Sequence, residues 1–297
     1  MLRLLANYAW DGEGNELELG ISSYSFHRLN NGPERNDPIP AIETMIDRTA
    51  TLGCTGFEVL GVHLPSTDRG YLNGLKLHAL HAGVHFLSVS AHHDFVKTTT
   101  EARHEQVGIV NKYIEVAAQV GAPVVRVFGG RWRTVTDFSE YMARRGHEPP
   151  LPGYTDDDAW GWIFESFAEC LKTAEREGVV LALENHWGFT ASAAGTCRII
   201  ETLRSPWLKA MIDTGNFLEG DLYAEIEQMA PHAVLVQAKA YPGGGLYYTL
   251  DLDYPRILDI FRRHGYRGAL SLEMEGNAHP DQGVPEALAM LRAAIAH

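Results

Sequence analysis

Short apolar runs alternate along this chain with longer stretches whose apolar residues recur every three or four positions. The runs are Leu17–Ser23, Gly56–Leu60, Val84–Ala91, Pro123–Phe128, Val179–Glu184, Leu208–Asp213, Ala233–Ala240 and Ala269–Met274. They are rich in Val, Ile, Leu and Phe and nearly continuous, as strands covered on both faces should be. Between them lie helical patterns near 41–52, 69–82, 101–120, 159–177, 192–203, 222–229, 254–264 and 284–295. Phe164, Phe167, Ala168 and Leu171 show the helical spacing, as do Ile257, Leu258 and Phe261.

Glycine marks many of the junctions, at Gly53, Gly83, Gly121, Gly178 and Gly265. A glycine just past a helix adopts the left-handed conformation at little cost. Proline does the stopping at Ser205-Pro206 and Ala230-Pro231. Strict alternation of strand and helix predicts a parallel sheet, and eight units predict one closed (β/α)8 barrel. An open doubly wound sheet would carry a glycine-rich phosphate loop after its first strand, and SYSFHRLNNG is not one. The expected organisation is an N-terminal extension over 1–16 and a barrel over 17–297. A long aromatic loop at about 129–157 is expected to cover the barrel mouth.

The formal net charge of −13 disfavours a phosphate-backbone partner, so nucleic acid is not expected. No apolar run reaches the roughly 20 residues of a membrane helix. The three cysteines, Cys54, Cys170 and Cys197, have no C-x-x-C spacing. Together with an N-terminus lacking a signal-peptide pattern, they suggest a cytoplasmic protein.

The chemistry gathers where strands end, which in a barrel is where active sites lie. The fifth strand ends Glu184-Asn185-His186, the sixth Asp213-Thr214-Gly215-Asn216, the seventh carries Gln237 and Lys239, and the eighth ends at Glu273. Buried carboxylates this close repel unless a cation is shared among them. A single such carboxylate is as well explained by pairing with Lys239 or Arg126. Successive strand ends favour a metal held by Glu184, Asp213, Gln237 and Glu273, whose hard oxygen donors suit Mn2+ or Mg2+. His92 and Arg126 end the third and fourth strands as candidate substrate contacts. Trp132 on the long loop is a candidate wall of the site. Glu58 on the second strand points to the interior without an evident role, and the glycines 243–245 make either a mobile lid or a tight turn.

The segments ALEN (182–185), IDTGN (212–216), VQAK (236–239) and SLEME (271–275) resemble the xylose isomerase-like TIM barrels, in particular the sugar phosphate isomerase/epimerase family. The likeness spans nearly the whole chain. It implies a Glu, Asp, His, Glu metal set, carried onto Glu184, Asp213, position 237 and Glu273, with Glu184 and Glu273 as the acid/base pair. Position 237 is Gln, as in hydroxypyruvate isomerase-like relatives. Position 216 is Asn where the common motif has a substrate-binding histidine. These departures, with the acidic charge, set the chain apart from the endonuclease IV-like members.

The resemblance implies a divalent-metal-dependent isomerase or epimerase. Its substrate would be a small polyhydroxylated carbonyl compound, a sugar or keto-sugar, reacting through a stabilised enediolate. His186 and Lys239 join as candidate acid/base or charge-neutralising groups, and Asn216 as a substrate contact. Loss of a β-substituent from the same enolate would instead make a lyase, either inosose dehydratase-like or keto-glycoside-cleaving. A non-catalytic sugar-binding barrel is the reading from a different class. It is disfavoured because every ligand position keeps an oxygen donor. A homo-oligomer, dimer or tetramer, is expected by resemblance.

Overall fold

The computed structural model describes residues 17–26, 40–218 and 220–296; the proposed extension over 1–16, and His27, lie outside them. The strands are β1 Leu19–Ser22, β2 Gly56–Leu60, β3 His85–Ser90, β4 Val124–Val127, β5 Val180–Glu184, β6 Leu208–Asp213, β7 Ala233–Ala240 and β8 Leu270–Met274. All pair in parallel in chain order, and β8 closes on β1 through Leu19 opposite Leu270. The barrel read from the sequence is therefore the observed fold. The helices are α1 Ile42–Thr51, α2 Arg69–Ala82, α3 Thr100–Val120, α4 Phe138–Ala143, α5 Asp156–Glu177, α6 Ala193–Leu203, α7 Leu222–Met229, α8 Tyr254–Arg263 and α9 Pro280–Ile295. None among the described residues is long and apolar enough to cross a membrane.

The main core lies between strands and helices, while a smaller cluster plugs the barrel interior. That plug contains Val124, Ala182, Met211, Leu235 and Ala269. Side chains of a strand alternate between faces, so residues two positions further on enter the same interior space. Those residues are Arg126, Glu184, Asp213, Gln237 and Ser271, all buried. The polar floor of the mouth thus follows from register, one layer above an apolar plug.

Two helices begin earlier than the sequence pattern suggests. α5 starts at Asp156 because Thr155 and Asp158 form a reciprocal capping box. α9 starts at Pro280, where proline suits the first turn and His279 accepts from the Asp281 amide.

The long loop contains α4 and is folded around a buried carboxylate. Glu148 accepts from the Arg131 guanidinium at 3.0 and 2.9 Å and from the backbone amides of Arg133 and Val135. Arg131 is therefore an internal anchor, not a solvated loop charge. The glycines 243–245 form a pinned turn: Gly243 and Gly244 have φ of +76° and +83°, and Gly245 bridges Gly276. A Cβ at Gly245 would stand 1.6 Å from the Tyr248 carbonyl oxygen.

Candidate active site

A cavity of about 850 Å3 opens at the C-terminal ends of the strands. Its lining includes Glu184 and Glu273 at the floor, His92 and Arg126 on one side, and Asn216 and Lys239 on the other. Two side chains carry most of the compensating charge. Arg126 Nη1 donates to Glu184 Oε2 at 2.7 Å. Lys239 Nζ lies 2.9 Å from Asp213 Oδ2 and 3.5 Å from Glu275 Oε2, and is bonded to Glu273 Oε2. The backbone at Gly215 makes room for this lysine, since a Cβ there would stand 2.5 Å from Lys239 Cγ.

The remaining bonds fix the carboxylates individually. Asn216 Nδ2 donates to Glu184 Oε1 at 2.9 Å. Asp213 is tied to β5 by Asn185, whose amide donates to the Asp213 carbonyl and accepts from its backbone N–H, each at 2.8 Å. Asn185, read only as part of the strand-end cluster, thus braces a neighbouring strand end.

Buried carboxylates outnumber buried cations. Among the described residues, Glu58, Glu184, Asp213, Glu273 and Glu275 share two buried cations, Arg126 and Lys239. Burial raises Glu184 despite its Arg126 partner, and raises Asp213 well above the usual carboxylate range despite Lys239. Burial also pushes Glu58 up to about 7. Burial acts on Glu273 too, but attraction to Lys239 overcomes it and holds Glu273 below its ordinary value. Sharing one ammonium splits the two carboxylates, with Glu273 held down and Asp213 pushed up.

This surplus is what a divalent cation would relieve. One oxygen of the predicted ligand set, Gln237 Oε1, is buried without a hydrogen-bond partner, while Asp213 Oδ2 has Lys239 Nζ at 2.9 Å as its ion-pair partner. A buried oxygen without a partner is costly unless something occupies the space beside it. The donors are carboxylate and amide oxygens, so the residues present fit a hard ion such as Mg2+ or Mn2+. In this structure the carboxylates of Asp213 and Glu273 share Lys239 between them instead. Among the described residues, the His, Cys, Asp and Glu ligand atoms already gathered within 4.8 Å of one another belong to Cys197, Glu201 and His232, outside this cavity. There burial, Glu201 and Glu225 push the thiol up to about 11, which keeps the sulfur protonated and a poor ligand.

The other candidates separate clearly. His186 lines the cavity, although β5 stops at Glu184 and a turn, with His186 N bonded to the Glu184 carbonyl, carries the imidazole there. Its ring lies against Phe128 and Trp187, and burial and Arg126 hold it neutral, well below its ordinary pKa. His92 faces the cavity and meets Arg126 Nη2 at 3.4 Å. Trp132 does not reach the cavity. Its indole donates to Asp156 at 2.8 Å and packs on Trp162 and Phe189, so it fastens the loop to α5. The aromatic wall comes instead from Phe128, Phe138, Trp187, Tyr247 and Tyr248. Glu58 is drawn into the network by Gln237 Nε2 at 2.6 Å.

His93 supplies an independent check on this end of the barrel. Its Nε2 accepts from the Phe128 amide at 3.0 Å, and burial, with Arg126 and His92, lowers it to about 3. A histidine kept neutral in the fold but protonated in the unfolded chain costs stability on acidification. The contribution is full above pH 6.5 and falls progressively toward pH 3, on the order of 4 kcal/mol in all. His93→Gln keeps an acceptor for Phe128 N and should flatten this acid limb. Urea melts at pH 7.5 and 4.5 should show a smaller loss than in the wild type; equal losses would contradict the assignment.

Comparison with curated proteins finds no match. Among solved structures, the chain is similar to L-ribulose 3-epimerase (19% identity, TM-score 0.73, 94% of this chain and 95% of that one). It is similar to D-psicose 3-epimerase from Clostridium cellulolyticum H10 (15% identity, TM-score 0.73, 94% and 99%). It is also similar to 3-keto-D-glucoside 4-epimerase from E. coli (18% identity, TM-score 0.70, 93% and 99%). At these identities the likeness is one of fold. The family model described as xylose isomerase-like TIM barrel matches residues 23–294, and the chain belongs to that family.

Proposed function

We propose that this protein is a divalent-metal-dependent isomerase or epimerase of a small polyhydroxylated carbonyl substrate, a sugar or keto-sugar. The observation that carries the reading is the delivery of Glu184, Asp213, Gln237 and Glu273 by successive strands to one buried floor, with Gln237 Oε1 unpartnered. The epimerases of like fold support it. Those residues would hold Mn2+ or Mg2+, which would supply positive charge beside the substrate's carbonyl and hydroxyl oxygens.

The chain's own groups then divide the proton work. Glu273, which Lys239 holds below its ordinary pKa in this structure and which the ion's charge would keep low once Lys239 withdraws, is the group ready to take the proton next to the carbonyl. Glu184, raised by burial, is the group able to return one on the other side. Lys239 offsets the charge that develops on the substrate oxygens. His92, Asn216 and the neutral His186 line the cavity as hydrogen-bonding partners for hydroxyls. Gathering all four ligand residues around one ion requires Lys239 to give up its hold on Asp213 and Glu273.

A lyase acting through the same first step is the second reading. The rim of Phe138, Trp187 and Tyr247, with centroids 5.0 and 5.5 Å apart, favours it, because an aromatic rim can seat an apolar leaving group. We further propose a cytoplasmic homo-oligomer, which size-exclusion chromatography with light scattering would check.

Metal analysis should find about one divalent ion per chain, and removing it with a chelator should abolish turnover, with recovery on adding Mn2+. A panel of keto-sugars incubated in D2O should take up solvent deuterium at the carbon next to the carbonyl. Products of unchanged formula mark the isomerase, and loss of water or an aglycone marks the lyase. Full activity after complete metal removal would overturn the proposal.

A further inference from the structure

The ligand proposed at position 237 is an amide, and an amide can present either of two ends. Which end faces a cation decides whether the site binds it or repels it. The structure fixes that choice through a residue on the opposite side of the barrel. Glu58 is fully buried on β2, immediately after a register shift against β3 between Phe57 and Glu58. A bulge of this kind re-aims the side chain that follows it. Glu58 Oε1 accepts from Gln237 Nε2 at 2.6 Å and from Ser90 Oγ at 3.3 Å. The same nitrogen lies 3.4 Å from Glu273 Oε1. Both contacts are to carboxylate oxygens, which accept and cannot donate when ionised. Rotating the amide by half a turn would set its oxygen against both of them. With these carboxylates ionised the nitrogen is committed, and Oε1, buried and without a partner, is the end left for another group.

We propose that Glu58 is a positioning residue that locks the Gln237 amide with its oxygen available to the divalent cation, and so sets the affinity of the site. This rests on the metal-dependent reading above. Glu58 acts through Gln237 and is not itself a ligand. The arrangement supplies for an amide what a hydrogen-bonded carboxylate supplies for a metal-bound imidazole: an outer partner that fixes which atom faces the ion.

The test measures Mn2+ binding to the metal-free protein by calorimetry and by the loss of the free-ion EPR signal. Glu58→Leu should weaken Mn2+ binding by about 10- to 100-fold, the usual effect of removing an outer partner. In a Gln237→Ala background the same substitution should have almost no further effect, because the residue it acts through is gone. An equal loss in both backgrounds would overturn the proposal, since Glu58 would then act directly by its charge. Unchanged binding in Glu58→Leu would overturn it as well. Should Glu58→Leu fail to fold, Glu58→Gln takes its place, because its amide can face Gln237 with either end and releases the lock. It should weaken binding several-fold with Gln237 present and not without it. Wild-type protein that binds no Mn2+ refutes the metal reading itself, an outcome separate from the others.

Discussion

Glu184→Gln is expected to lower turnover by a factor of about 100 to 10,000, the range a positioned acid or base supplies, with a smaller loss of stability than Glu184→Leu. Glutamine keeps one oxygen to accept from Arg126 Nη1, and its NH2 group then stands where Asn216 Nδ2 had donated to Glu184 Oε1, so only one of the two contacts keeps its acceptor. It can neither take up nor return a proton. Glu184→Leu should behave differently. Arg126 is 5% exposed, and its Nε already lacks a hydrogen-bond partner. Removing its carboxylate leaves a buried, uncompensated guanidinium, at a cost of about 3–5 kcal/mol. Both substitutions remove the proton-transfer group and the negative charge, and the pair separates them from the hydrogen bond that an oxygen at this position gives Arg126. Steady-state rates on a responding keto-sugar and chemical denaturation of both variants check this. Wild-type turnover in Glu184→Gln would remove Glu184 from the chemistry.

The barrel was legible because its signals are local and repeated. Apolar runs bounded by Gly83, Gly121 and Gly178 gave strand and helix limits, and those glycines do end α2, α3 and α5 in the left-handed conformation. Period-two alternation then brought Glu184, Asp213 and Gln237 to one interior from three different strands. What the sequence hid depends on contacts between distant segments. Trp132 looked like a wall residue, yet the wall is built by Phe138, on the loop that Glu148 folds around Arg131, and by Trp187, in the turn after β5. Glu58 lies 179 positions from Gln237, and only barrel closure makes them neighbours. α4 was missed because one and a half turns with an Asp137 cap carry too little periodicity. α9 starts four residues before the expected 284, at Pro280, because proline fits the first turn of a helix and His279 caps it.

The charge balance yields the second large effect. Lys239 is buried among Asp213, Glu273 and Glu275, and although burial opposes its charge, those carboxylates hold its pKa well above the ordinary value. Lys239→Met removes the only ammonium in contact with them among the described residues. Each carboxylate then has a folded-state pKa above its unfolded value. The stability such groups contribute is complete below the unfolded pKa, near 4, and is lost as pH rises through the folded pKa. Metal-free Lys239→Met should therefore be most stable near pH 5 and lose about 3–5 kcal/mol relative to wild type at pH 8. Mn2+ should reverse most of that loss, because the ion takes the place of the missing charge and no longer competes with the lysine for Asp213 and Glu273. Its affinity should accordingly exceed that of the wild type, while turnover falls. Denaturant melts across pH, with and without Mn2+, test each limb. If metal-free Lys239→Met follows the wild-type pH profile, the ammonium does not carry the charge of this floor.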